Sequence, residues 1–108
     1  MNIEEAFSAL ATDDVNGQFL WFSKRSEELA LKFLDAVQAT FEKIMDQPAG
    51  GMIWDDEERT GRPSSVRYRM VDDFPNHVMI YKTKADCVRI LRVFHAARKI
   101  TASMILEE

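Results

Sequence analysis

The chain has 108 residues, 46% hydrophobic and 30% charged, with one Cys and a formal net charge of −4. A chain this short buries roughly 60–70% of its unfolded surface, enough for one modest core, so residues 1–108 are read as a single domain. The lone Cys87 cannot form an internal disulfide, no Cys/His spacing suits structural zinc, and the charge excess is too small to keep the chain unfolded, so a reducing cytoplasm is the expected setting.

The opening residues, MNIEEAFSALATDD, carry acids where a secretory signal has bases followed by a long apolar run. No window approaches the ~20 apolar residues of a membrane span. A soluble protein with no membrane partner is therefore expected.

Asn2 to Phe7 is read as a further edge strand. From about Ala9 to Arg25, Ala11, Val15, Phe19 and Phe22 recur at helical spacing, although Gly17 costs ~1 kcal/mol inside a helix. A second helix is predicted from Glu27 to Gln47. Its apolar face is Leu29, Phe33, Val37, Phe41 and Ile44, widened by Ala30, Leu34 and Ala36. Ser26 opens it with an acid, Glu28, in the first turn, and Asp46-Gln47-Pro48 closes it because Pro cannot continue the backbone ladder. The short connection implies an antiparallel helical hairpin.

Residues 48–65, PAGGMIWDDEERTGRPSS, hold five of the seven Gly and Pro residues and read as a loop pinned to the body by Met52, Ile53 and Trp54. The period then changes to two. Val66, Tyr68 and Met70 alternate with Arg67 and Arg69, placing both guanidinium groups on one side of a half-covered strand. Asp72 to Asn76 is turn chemistry, His77 to Lys82 an apolar strand, Lys84-Ala85-Asp86 another turn, and Cys87 to Phe94 a third strand. Arg98 to Glu108 reads as a short terminal helix or an extended segment. The fold class is α+β, an amino-terminal helical hairpin packed on a three- to four-stranded antiparallel sheet.

Charge is unevenly spread. Residues 1–47 hold nine acids and four bases (−5), residues 48–65 four and two (−2), and residues 66–108 five and eight (+3). Arg67, Arg69, Arg89, Arg92, His95, Arg98 and Lys99 therefore concentrate on the sheet and just beyond it, a set suited to phosphate or an acidic partner. The alternative is a row of solvated strand charges that pair with acids on the helices and discourage edge pairing. His95 and His77 could titrate near neutrality, yet no motif surrounds either, and hydrogen-bonding roles are the simpler reading. Cys87 opens a strand and reads as an inert small hydrophobe. Asp55-Asp56-Glu57-Glu58 lacks the alternation and central Gly of a calcium loop and reads as a solvated acidic stretch. There is no phosphate-binding Gly loop, H-E-x-x-H or C-x-x-C. On the first helix, Phe19, Trp21 and Phe22 exceed what one face can bury, leaving at least one aromatic for a partner.

The stretch Leu29 to Val37, then Phe41 and Pro48, Val66-Arg67-Tyr68-Arg69, the block F-P-N-H-V-M-I-Y at Phe74 to Tyr81, and the ending I-L-R-V-F-H-A-A-R-K-I from Ile90 resemble the RelE/ParE toxin superfamily. The likeness runs from about Leu10 to Met104 and is nearer the ParE branch. It departs from the pattern at Lys99, where an acid is usual, at Phe94, at Gly17, and in the length of the loop from Gly50 to Ser65.

The resemblance implies the toxin of a type II toxin-antitoxin module. Its partners would be a cognate ParD-like antitoxin held at Phe19, Trp21 and Phe22, and DNA gyrase as target, met by the basic set. It implies no cofactor, no metal and no sequence-specific nucleic-acid binding by the toxin alone. A second reading is a RelE-like ribosome-dependent messenger endoribonuclease that uses Arg67, Arg69, Arg92 and His95. A third is a degenerate antitoxin-binding module without toxicity. Ribosome entry needs many phosphate contacts, which a net-acidic chain with its last Tyr at Tyr81 inside a strand supplies poorly, so the gyrase branch is preferred.

Overall fold

The computed structural model describes residues 3–54, 66–84 and 87–96. Three helices come first, α1 (Ile3–Ala6), α2 (Ala9–Ser23) and α3 (Glu27–Asp46). A single 3₁₀ turn, Pro48–Gly50, leads into four strands, β1 (Met52–Ile53), β2 (Val66–Val71), β3 (Phe74–Lys84) and β4 (Cys87–His95). The strands form one antiparallel sheet in the order β1-β2-β3-β4.

The expected hairpin of α2 and α3 packs on one face of this sheet, α2 along β4 and α3 reaching β2. Ser26 caps α3 by accepting the Leu29 amide at 3.1 Å, with Glu27 and Glu28 in the first turn and Lys43 in the last, each suited to the nearby end of the helix dipole. Phe33, Val37, Phe41 and Ile44 from its predicted stripe are buried, and Leu29 packs against the same core partly buried.

Two expectations for the chain's irregular parts are corrected. Asn2 to Phe7 is not an edge strand: Ile3–Ala6 is helical, and of the described residues in this stretch only Phe7 pairs with the sheet, through one parallel bridge to Ile90. Ser8 completes that junction. Its amide donates to the Ile90 carbonyl at 2.9 Å, its hydroxyl donates to the Leu91 carbonyl at 2.8 Å, and the same oxygen caps α2 by accepting the Ala11 amide at 3.0 Å. These bonds occupy backbone groups on the outer side of β4 that a bare edge would present to other chains.

The loop is not wholly irregular either. Met52 and Ile53 pair with Tyr68 and Arg67 as the fourth strand, and both stay exposed, so Trp54 alone of the three expected pins packs inward. Residues 55–65, including the acidic stretch, and the terminal segment from Arg98 lie outside the described residues.

The turn expected over Asp72 to Asn76 is shorter, because Asp72 and Asp73 alone connect β2 to β3, with Asp73 at φ 62°. Phe74, Pro75 and Asn76 already belong to β3, where the pairing jumps from Val71↔Phe74 to Met70↔Val78. Pro75 has no N–H for a ladder and sits within this irregular stretch. Thr40, wholly buried on α3, accepts the Asp72 amide at 2.9 Å and donates to the Ala36 carbonyl at 2.7 Å, tying the turn to the helix.

Both sheet faces bury apolar side chains. Met79, Tyr81, Ile90 and Val93 join the helical core, while Val66, Val78, Ile80, Leu91 and Phe94 make a second cluster with Trp54 and Tyr68 against it. Because Arg67 pairs with Tyr81 and Arg69 with Met79, both Arg side chains lie on the helix-bearing face, at its β1–β2 margin.

Two glycines make opposite demands. A Cβ on Gly51 would stand 2.2 Å from the Tyr81 hydroxyl, which accepts the Gly51 amide at 3.0 Å and donates to the Pro48 carbonyl at 2.8 Å. Tyr81 is fully buried and cannot step aside, so Gly51→Ala is expected to cost about 1–3 kcal/mol through overpacking. A Cβ on Gly17 would meet nothing within 4 Å. Gly17→Ala is expected to add about 0.5–1 kcal/mol by removing a helix-interior glycine. Urea unfolding of the two variants measures both, and a gain at Gly51 or a loss at Gly17 would contradict the packing described.

Candidate functional site

The basic set predicted from sequence does not converge on one point. Arg67 donates from Nη1 to the Gly51 carbonyl at 2.9 Å, and Arg69 Nη1 lies 3.8 Å from where a Cβ on Gly50 would be, so the two guanidinium groups flank the Gly50-Gly51 backbone. Arg89 donates to the Glu5 carbonyl at 2.8 Å on the opposite side of the sheet. Arg98 and Lys99 lie outside the described residues.

Arg92 has an internal role. Its Nε donates to Asp14 Oδ2 at 2.7 Å and its Nη2 to Oδ1 at 2.8 Å, a two-pronged pair in which both side chains are nearly buried, at 14% and 13% exposure. Asp14 Oδ2 also accepts the Val93 amide at 3.0 Å, filling another backbone site on β4. The hydrogen bond to Asp14 holds the Arg92 pKa above its ordinary value against the opposing effect of burial. The guanidinium carbon lies 4.2 Å from the Phe94 ring centre. Arg92 is thereby the clasp between α2 and the sheet.

His95 closes β4 opposite His77 on β3, and the two rings stand 5.1 Å apart, centre to centre, at 78°. They line a cleft of about 500 Å³ with Gln18, Trp21, Phe22, Asp73 and Phe74 among its walls. His77 is buried among the rings of Phe22, Phe33 and Phe74, and its Nε2 lies 3.0 Å from Gln18 Oε1. Burial, and then the neighbouring His95, push its pKa below 6.5, so the imidazole is neutral at neutral pH. Since Gln18 Oε1 only accepts, Nε2 carries the proton and Nδ1 carries a lone pair. That Nδ1 is buried and has no hydrogen-bond partner.

Helix α2 exposes one of the three aromatics singled out on it. Phe22 is buried, Phe19 packs against the core at partial exposure, and Trp21 remains 49% exposed beside Leu20 at 59%. Arg25 lies over the Trp21 indole at 3.5 Å and donates to the Trp21 carbonyl at 3.0 Å, holding the ring on the surface at the cleft wall.

Sequence reading missed Asp14 and Gln18. They occupy i and i+4 on α2, flanking the buried stripe of Ala11, Val15 and Phe22. That flanking position is the signal available for them, because a polar side chain beside an apolar stripe reaches the margin of whatever the stripe packs on.

Among the described residues no helix is long and apolar enough to cross a membrane. A search of curated proteins returns no match to the chain. Residues 6–100 match the family model described as the ParE toxin of the type II toxin-antitoxin system parDE. The match takes in the helical hairpin, the sheet and both sequence blocks noted above, and membership implies an antitoxin partner. The chain belongs to the ParE toxin family of type II toxin-antitoxin systems.

Proposed function

We propose that this toxin inhibits DNA gyrase by binding it, with no bond-breaking step of its own, and that a ParD-like antitoxin neutralises it through the helical hairpin. The Asp14–Arg92 pair is the observation that carries the non-catalytic reading. Cutting RNA requires cations aimed at a phosphate that gains charge, and both prongs of the Arg92 fork are held by a carboxylate of the same molecule. Strand β3 also separates Arg67 and Arg69 on β2 from His95 on β4. Such a spread suits contact with a broad partner surface better than attack on one bond.

In this reading Arg67, Arg69, Arg89, His95, Arg98 and Lys99 meet the target, and Arg92 keeps α2 in place beneath them. Trp21, with Leu20 beside it, anchors the antitoxin, since a half-exposed aromatic on a rigid helix is the kind of residue that dominates interfaces.

A gyrase supercoiling assay tests both surfaces. The purified protein is expected to block supercoiling, and Arg69→Glu to weaken the block by about tenfold. Trp21→Ala is expected to inhibit as strongly as the parent but to need roughly 30-fold more antitoxin for release. Gyrase that is unaffected by excess protein, together with codon-linked cuts in translated messages, would replace this reading with the endoribonuclease one.

A further inference from the structure

We propose that His77 is an acid-sensitive latch: protonation of its ring releases the last turns of α2 from β3 and opens the cleft beside Trp21 while the sheet stays folded. The latch is the contact of His77 Nε2 with Gln18 Oε1 at 3.0 Å, which joins β3 to α2 among the rings of Phe22, Phe33 and Phe74.

This arrangement accommodates a neutral ring and not a charged one. An imidazolium carries an N–H on both nitrogens. Gln18 serves Nε2, but Nδ1 is buried, closed to water and without a hydrogen-bond partner, so a proton placed there becomes an unpaired donor on a desolvated charge. His95, with its ring centre 5.1 Å away, sets any positive charge of its own against that one. Asp73 is the one carboxylate lining the cleft, and it is exposed and makes no bond to Nδ1. The lowered pKa of His77, due first to burial and then to His95, agrees with this geometry.

A protonated ring has somewhere to turn. The cleft of about 500 Å³ adjoins it, and Asp73 and Asn76 on its lining supply acceptors and a counter-charge. A ring that turns outward gives up Gln18, one helical turn before Trp21 and Phe22. The rest of α2 has other anchors, Ser8 at its start and Asp14 on Arg92, so the release is confined to its end. The closed form takes up the proton only below 6.5 and the open form near 6.5. Opening is therefore favoured as pH falls through 6.5, by at most about tenfold per pH unit, and gains nothing more below the depressed closed-state value.

The test is native-state hydrogen exchange, followed by NMR on the full chain in low urea at about pH 7.5 and about pH 5.5 and corrected for the intrinsic exchange rate. The amides from Leu20 to Ser23 are expected to lose about three- to tenfold in protection on acidification, through an opening that depends little on urea because it exposes little surface. Gln18→Glu is expected to cancel most of this response, since the introduced carboxylate pairs with the imidazolium in place. His95→Gln, at an exposed position, is expected to shrink the response without removing it, burial being the larger cause. His77→Gln has no proton to take up and is expected to abolish it; where that chain does not fold, Gln18→Glu carries the test. Acid-driven exchange at Leu20 to Ser23 with the full urea dependence of the core amides, or a response unchanged by Gln18→Glu, would overturn the latch. Exchange is read on the chain alone, so the result does not depend on gyrase being the target.

Discussion

Replacing Asp14 by Ala is expected to lower the unfolding free energy by about 3–5 kcal/mol, because the change leaves an Arg stranded in a nearly buried position. The loss is larger than that of an ordinary ion pair. Asp14 answers three donors at once, Nε and Nη2 of Arg92 and the backbone amide of Val93, so a single substitution unpairs a charge and strips the edge amide of Val93 of its acceptor. A domain of this size has only about 5–15 kcal/mol in total, and urea unfolding should show the midpoint falling by a large fraction.

Asp14→Asn separates the contributions. It keeps an oxygen for the Val93 amide and removes the charge, so it is expected to fall between the parent and Asp14→Ala. Lys43→Ala provides the contrast. Lys43 approaches Asp72 at 2.6 Å, as close as the Arg92 pair, but its side chain is 53% exposed and its loss is expected to cost no more than about 1 kcal/mol. Equal, small losses at Asp14 and Lys43 would mean that water reaches Arg92 in solution and that the guanidinium is available to a target after all.

What the sequence made legible follows the range of the interactions that decide each element. Helix α3 could be read almost to the residue because its determinants are local: the apolar stripe, the Ser26 cap and Pro48 lie within the segment itself. The alternation of β2 was equally local. The entry to α2 was not, since Ser8 bonds to Ile90 and Leu91, more than 80 residues away, and the apolar residues before it looked strand-like in isolation. Strand β1 was invisible because two residues have no period. Its pairing follows the adjoining Gly51, which the fully buried Tyr81 holds from 30 residues downstream.

The candidate site divides in the same way. The blocks containing His77 and His95 could be located, and with them the family. That the two histidines face each other depends on a register shift between Ile80 and Tyr81 that no spacing motif encodes. Nor could Asp14 be told from Asp13 before it, since only the placement of α2 along β4 selects which carboxylate meets Arg92.

Phe33→Ala is expected to cost about 3–5 kcal/mol and also to alter how stability depends on pH. Phe33 is wholly buried, with its ring centre 5.1 Å from Phe22, 5.2 Å from Phe74 and 5.3 Å from His77. Truncation opens a cavity against the cleft and admits water to the imidazole. In the parent, burial first and His95 second depress the folded-state pKa of His77 below 6.5. As pH falls through 6.5 the unfolded chain takes up a proton that the folded chain refuses, so stability is lost on acidification and the loss levels off below the depressed folded value. With water at His77 the folded value climbs back toward 6.5 and this part of the dependence flattens. Urea midpoints between about pH 8 and about pH 5 should therefore converge for parent and variant toward the acid end. Phe33→Leu, which keeps most of the volume, is expected to retain more of the parental slope. Parallel curves for parent and Phe33→Ala would show that the aromatic wall is not what keeps His77 neutral.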